Sequence, residues 1–344
     1  MIGYILLFIV VIYTTNLSRK YEKASLSLIF FFLTCFVGFR YHVGRDYENY
    51  VDIYNSVDFQ YLEPAFAFLV EWLNSFHCSV TYLFFIMAFL TYGFLFGGIY
   101  CIKEANLPLS IFMLSIFTFS SICNVTRQAL ASAVFLFAFQ FIIKRKLSFY
   151  ILCILLASTF HVSALILLPL YFLLDKQLSD KYIISIYLMS FVFVFLDLGT
   201  IAGPFMSLME NWQRYENYVE KRGDEDGYLS PGVVLEMANY AIMLYYSIKA
   251  NVHRNHTVLF NLLLLGAILM NVRIGAPLLI RLQMYFSFFI NIILPLVVIE
   301  QKSKQTRHLL ALYFGITQLA LWGYYIFFIP TSDMYPYKDV FGIL

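Results

Sequence analysis

The sequence predicts an all-α polytopic membrane protein with about 12 transmembrane helices and two large loops on one face. Three observations carry this expectation. Of the 344 residues, 61% are hydrophobic and 13% are charged, a charged share about half that of an ordinary soluble domain. Apolar stretches recur from end to end, so 1–344 reads as a single integral membrane domain with no room for a separate soluble one. The basic residues gather in alternate loops, as the positive-inside rule requires. This composition excludes a soluble globular enzyme, a disordered chain and a coiled coil.

The apolar runs are approximately 1–17, 25–39, 80–101, 107–122, 128–143, 147–160, 162–174, 182–199, 232–248, 257–271, 277–299 and 309–328. Several fall short of the ~20 residues that a span needs, so their ends extend into the flanks. The first run has no basic n-region and no small-residue cleavage site, and Arg19, Lys20 and Lys23 follow it. It reads as a retained first span, not a cleaved signal. The 147–174 block is long for one helix and is interrupted by His161 and Pro169, so it reads as two short or tilted helices.

Orientation follows from the loops. Arg19, Lys20, Lys23, Lys103, Lys144, Arg145, Lys146, Lys176, Lys181, Lys249, Arg254, Lys302, Lys304 and Arg307 belong inside, 14 of the 23 basic residues. Only Glu22, Glu104, Asp175, Asp180 and Glu300 accompany them. Every loop alternates correctly only if both termini lie outside and 147–174 crosses twice.

Two outside loops are long, 40–79 and 200–231. In the first, Tyr47, Tyr50, Val51 and Tyr54 recur at helical spacing behind Asp46, which sits where an N-cap belongs. Glu63-Pro64 opens a second helix, with Pro in the first turn. Leu62, Phe66, Leu69, Leu73 and Phe76 form its apolar stripe, and Glu63, Glu71 and Asn74 its polar face, the pattern of an interfacial helix. The second loop carries the stripe Leu208, Trp212, Tyr215 and Val219.

The charges that need explaining are arginines at the outer mouths of spans: Arg40, Arg45, Arg127, Arg273 and Arg281. Charge at membrane depth is costly and usually lines a cavity. Thr126 or Asn124 would cap the helix that holds Arg127, and Pro277 would open the helix whose second turn holds Arg281. A helix N-terminus beside an arginine suits phosphate. The alternative is arginines that snorkel to lipid headgroups or to outside carboxylates.

His161 breaks the 147–174 block, where it either caps a broken helix or moves a proton. Asp46 is either an N-cap or a base that also orients an arginine, and Glu63 has the same ambiguity. Glu71 reads as a solvated residue. The interfacial tyrosines (Tyr47, Tyr50, Tyr54, Tyr61, Tyr82, Tyr215, Tyr218, Tyr335, Tyr337) fit an aromatic belt and equally fit stacking on sugar rings. The five cysteines follow no metal-site or disulfide spacing, and no P-loop, GxGxxG or HExxH occurs.

The stretch Phe39-Arg40-Tyr41-His42-Val43-Gly44-Arg45-Asp46-Tyr47-Glu48-Asn49-Tyr50 resembles the signature loop of the EpsG family, which groups with Wzy-type polymerases of bacterial surface polysaccharides. Further segments resemble that family in order. They are Glu63-Pro64-Ala65-Phe66, Thr126-Arg127-Gln128-Ala129-Leu130-Ala131, Thr159-Phe160-His161-Val162-Ser163-Ala164, Arg281 with Tyr285, and Tyr335-Pro336-Tyr337-Lys338.

The resemblance implies a GT-C-like glycosyltransferase of the bacterial inner membrane, with its site on the periplasmic or extracellular side. It would join oligosaccharide repeat units carried on undecaprenyl pyrophosphate, for O-antigen, capsule or exopolysaccharide. No nucleotide sugar, cofactor or metal is expected, and no nucleic acid. A chain-length regulator and a flippase are candidate partners. On this reading Arg127, Arg273 and Arg281, with Arg40 and Arg45 beside them, bind pyrophosphate. His161, then Asp46, then Glu63 are the candidate bases, and Tyr47, Tyr50, Gln128 and Tyr285 meet glycan. Two rivals stay open: an O-antigen ligase of the same GT-C group, and a lipid-linked oligosaccharide flippase or other transporter, which would place its charges at mid-span.

Overall fold

Apolar segments in lipid must close their backbone hydrogen bonds internally, and this chain does so with helices. The computed structural model describes residues 2–17, 22–56, 62–196, 229–276, 279–329 and 332–343. No strand occurs among the described residues; a single isolated bridge pairs Arg40 with Asp339. Most of the second predicted loop, with Leu208, Trp212, Tyr215 and Val219, lies outside the described residues, as do Tyr61, Tyr218 and Pro277.

Among the described residues, five helices are long and apolar enough to cross a membrane: Val80–Cys101, Thr126–Ile143, Thr257–Gly275, Ile280–Ile299 and Lys304–Phe328. Five more predicted spans appear as apolar helices of 10–17 residues. The last two, 182–199 and 232–248, correspond to helices Asp180–Ser190 and Pro231–Lys249.

The chain forms two compact units, Met1–Phe172 with Tyr325–Leu344, and Leu173–Tyr324. In the first, α1 (Ile2–Leu17) and α2 (Glu22–Gly38) precede two short helices, α3 (Tyr47–Ser56) and α4 (Pro64–Ser75). Next come α5 (Val80–Cys101), α6 (Leu107–Phe117), α7 (Phe119–Asn124), α8 (Thr126–Ile143) and α9 (Leu147–Ser158). Helices α5 and α8 run parallel. Near their starts both reach Arg40, through Phe84 and Thr126. Lower down, a Cβ on Gly98 would lie 2.3 Å from Leu136, so the absent side chain is what lets the helices close. Tyr4, near the start of α1, donates to the carbonyl of Met334, so both ends of the chain lie at the Arg40 end of this unit. Arg145 and Lys146 follow the opposite end of α8.

Two sequence expectations need correction. The run 107–122 is not one helix, because it breaks at Thr118; a second break, at Val125, separates α7 from α8. Neither Thr126 nor Asn124 caps α8, whose N-cap is Val125. The Thr126 hydroxyl donates back to the carbonyl of Ile122 at 3.1 Å, and Asn124 Oδ1 accepts the N–H of Arg45 at 2.7 Å. Competing tertiary partners took both side chains away from the helix end. The 147–174 block does divide, with α9 ending at Ser158 and a 3₁₀ segment, Val162–Leu167, following His161. That segment folds back, since the Tyr150 hydroxyl donates to the carbonyl of Leu167 at 2.6 Å.

The four-residue α10 (Leu170–Leu173) falls at the border of the two units, and α11 (Asp180–Ser190) is the first helix wholly in the second. It packs on α14 (Thr257–Gly275), where Asn271 donates to Ser190 at 2.8 Å. Helix α12 (Pro231–Lys249) lies across α14 and α15 (Ile280–Ile299), with the short α13 (Val252–Asn255) between α12 and α14. Helix α16 (Lys304–Gly323) completes the unit, with Ser303 capping it through the N–H of Thr306.

Candidate functional site

Glu63 stands at the head of α4, where the sequence places it, but does not cap the helix with its side chain. It is the N-cap residue of α4, with Pro64 in the first turn, but its carboxylate makes no cap hydrogen bond. Instead Oε2 accepts from Nη1 of Arg127, and Oε1 meets Nδ1 of His161 at 3.2 Å. One helix N-H that would otherwise go unpaired, that of Ala65, is satisfied by the carbonyl of Thr159 at 3.0 Å. This bond ties the first turn of α4 to the turn that presents His161.

The three side chains are shielded unequally. The side chains of His161 and Glu63 are 12% and 15% exposed, that of Arg127 24%. The Arg127 guanidinium also lies 5.2 Å from the ring centroid of Phe66 and 5.9 Å from that of Tyr50. Burial alone would raise the Glu63 pKa. The hydrogen bond to His161 and the charge of Arg127 outweigh it and hold the carboxyl below its usual value. Glu63 is therefore an ionised acceptor at neutral pH. With the imidazole proton on Nδ1 and donated to Glu63, the other nitrogen, Nε2, is the basic one; it is buried and without a partner among the described residues. A carboxylate that fixes one imidazole nitrogen and leaves the other basic is a general-base arrangement.

The remaining predicted residues fall into three groups. Tyr50 joins the cluster: its hydroxyl accepts the backbone N–H of Arg127 at 3.4 Å, and its phenol is pushed up by burial, against the opposing effect of Arg127. Asp46 immediately precedes α3, and its charge reaches Tyr50. Gln128 is buried one residue beyond Arg127.

A second group is turned inward. Arg40, expected to face pyrophosphate, is 1% exposed. It donates to the carbonyls of Val43 at 3.1 Å, Val37 at 2.8 Å and Cys123 at 3.5 Å, and to the Thr126 hydroxyl at 3.2 Å. Its guanidinium stacks over Phe84 at 4.3 Å. These donors are spent on the protein, and their geometry fastens the 40–45 turn to the break that delivers Arg127. Tyr47 is buried as well, stacked on Phe84 at 4.7 Å, so its ring face is not open to a sugar. Arg45 is half-buried, and its backbone is pinned by Asn124.

The third group belongs to the second unit. Arg273 donates to Glu236 at 2.9 Å and Gln283 at 3.3 Å, and Gln283 donates to the Tyr240 hydroxyl at 3.1 Å. Sequence reasoning missed Glu236, Gln283 and Tyr240. The signal for Glu236 was present, since it is the one carboxylate in the run 232–248. Arg281 is half-buried in the first turn of α15, which begins at Ile280; the expected opening residue, Pro277, lies outside the described residues. Tyr285 is fully buried.

Among the described residues, long apolar helices mark a membrane-embedded protein, and Glu63, His161 and Arg127 form a part-buried carboxylate–imidazole–guanidinium cluster in it. Its class is that of the polysaccharide-polymerase type of membrane protein, because the EpsG family model matches residues 23–338, nearly the whole chain. The chain belongs to the EpsG family, which is associated with Wzy-type polysaccharide polymerases. No curated protein and no solved structure matches the chain.

Proposed function

We propose that this protein is a polysaccharide polymerase that joins undecaprenyl-pyrophosphate-linked oligosaccharide repeat units by glycosyl transfer at the outer face of the bacterial cytoplasmic membrane. The observation that carries the reading is the Glu63–His161 pair, bonded to Arg127 through Glu63, with His161 Nε2 unpartnered among the described residues. It accompanies membership of a family of polymerase-type proteins.

In the proposed reaction an acceptor hydroxyl oxygen forms a bond to the anomeric carbon of the growing chain. The bond from that carbon to pyrophosphate oxygen breaks, and undecaprenyl pyrophosphate leaves. The hydroxyl proton passes to His161 Nε2, and Glu63 stabilises the imidazolium that results. Glu63 therefore takes the orienting role, and Asp46 acts at one remove through Tyr50. Charge grows on the leaving pyrophosphate, and Arg127, the most exposed member of the cluster, stabilises it there. Arg40 positions the Arg127 turn. In the second unit, Arg281 at the start of α15 keeps a pyrophosphate-binding assignment, and Arg273 is a brace between α12, α14 and α15.

The outer-face assignment rests on the basic loops. In the first unit, Arg145 and Lys146 lie at the end opposite the cluster, where the positive-inside rule puts the cytoplasm. The direct test is a reaction of the purified protein with lipid-linked repeat units and no nucleotide sugar. A ladder of lipid-linked oligomers is expected, whereas a single transferred product would mark a ligase.

A further inference from the structure

A polar concavity lies in the first unit, built from residues that the acid–base cluster does not use. One wall is the turn after α2 and the start of α3, with His42, Arg45 and Glu48; the other is the C-terminal segment, with Asp333, Tyr335 and Lys338. The cavity between them measures about 280 Å³, close to the low end of small-ligand sites. Its walls are locked together by backbone. Tyr41 N–H donates to the carbonyl of Lys338 at 3.0 Å, Gly44 N–H to that of Asp333 at 2.8 Å, and Val340 N–H to that of Phe39 at 2.9 Å. Behind them Tyr337 stacks on Phe36 at 4.2 Å. His42 and Asp333, one on each wall, hold left-handed backbone with φ of 49°, a conformation that non-glycine residues keep only where the surroundings impose it. The cavity is thus pre-formed.

Its chemistry differs from that of an anion site. Arg45 and Lys338 are balanced by Glu48 and Asp333, and His42 pairs with Glu48. A lining with donors and acceptors in equal supply suits hydroxyl groups, each of which gives and accepts a hydrogen bond. The ring of Tyr335 is half exposed and offers a flat apolar face. The cavity also adjoins the cluster. Tyr47 lines it, and Tyr50, one turn further along α3, meets Arg127. Arg45, on the same wall, is fastened to Asn124 just ahead of Arg127.

We propose that this cavity is a saccharide subsite that seats a sugar residue of the lipid-linked glycan, while the pyrophosphate is held at Arg127. The subsite rests on the glycosyl-transfer reading above. Its test uses the full chain in lipid nanodiscs. The probe is the repeat-unit oligosaccharide freed from its lipid carrier by mild acid, with binding read by calorimetry and saturation-transfer NMR. The intact lipid-linked unit is assayed in parallel for a ladder. The wild type is expected to bind the probe, and Tyr335→Ala and Glu48→Gln to weaken binding about tenfold, the scale of losing one well-placed partner. Both should raise KM for the lipid-linked unit more than they lower kcat, and Tyr335→Phe should restore binding.

The subsite is overturned if the wild type does not bind the probe, if both variants bind it as the wild type does, or if inorganic pyrophosphate displaces it. A wild-type ladder with unchanged probe binding in the variants removes the subsite and leaves the polymerase standing. Probe binding that is lost in the variants, without a ladder from the wild type, keeps the saccharide site and removes the glycosyl-transfer reading.

Discussion

His161 gains its chemical character from Glu63, which lies 98 residues earlier in the chain. Removing either should cost about 10²- to 10⁴-fold in rate, the usual worth of a positioned acid–base group. Glu63→Gln keeps the shape but loses the charge that holds the imidazole and neutralises Arg127. The same carboxylate has a pH signature. Its folded pKa lies below the ordinary value of 4.5, so its contribution to stability is fully present above that value and is lost as pH falls through the folded pKa. In thermal melts at descending pH, wild type should exceed Glu63→Gln at pH 7, and the gap should narrow as pH falls below 4.5. Arg40→Met should destabilise by ~2–5 kcal/mol, because three carbonyls and the Thr126 hydroxyl lose a buried donor. A melt that matches wild type would contradict that bracing role. In the sequence Arg40 and Arg127 look alike, each an arginine at a span mouth. What separates them is long-range packing, Cys123 and Thr126 for one and Glu63 for the other, which no local periodicity encodes.

At the scale of elements, much was legible. The Tyr47–Tyr54 spacing correctly marked the buried face of α3, and Glu63-Pro64 marked the start of α4. The stripe assigned to α4 was legible in part. Phe66 and Leu73 are buried, but Phe76 is exposed and Val70 takes its place inward. Phe68, Trp72 and Phe76 form a second apolar face, because a helix at a membrane interface need not be polar on its outer side. The breaks at Thr118 and Val125 were hidden, since no Pro or Gly marks them. The Gly44 turn beside them has a sharp test. Its φ is +103°, and a Cβ there would lie 2.7 Å from the carbonyl oxygen of Cys123. Gly44→Ala should lower the melting temperature and the activity together. Gly315→Ala, in a helix with nothing within 4 Å, should be neutral or stabilising by up to ~1 kcal/mol. Equal melting temperatures for the two variants would contradict the tight-turn argument.

For the whole molecule, the basic loops predict which end of the first unit faces the cytoplasm. Ser75, at the end of α4, and Arg145, after α8, are both exposed and lie toward opposite ends of it. In a cysteine-free background, Ser75→Cys should react with a membrane-impermeant maleimide in intact cells, and Arg145→Cys only after permeabilisation. The reverse pattern would put the cluster on the cytoplasmic side and remove the proposed reaction from the outer face. The all-α class and the division of 147–174 were readable because lipid leaves the backbone few options. The pairing of Glu63 with both Arg127 and His161 was not readable, because it joins three segments that are each locally unremarkable.

The decisive measurement is polymerisation by the purified chain, given lipid-linked repeat units and no nucleotide sugar, with wild type, His161→Ala and Glu63→Gln compared side by side. A wild-type ladder that collapses in both variants, while their melting shows them folded, is the expected result. A ladder undiminished by His161→Ala would contradict the central claim that this imidazole takes the acceptor's proton.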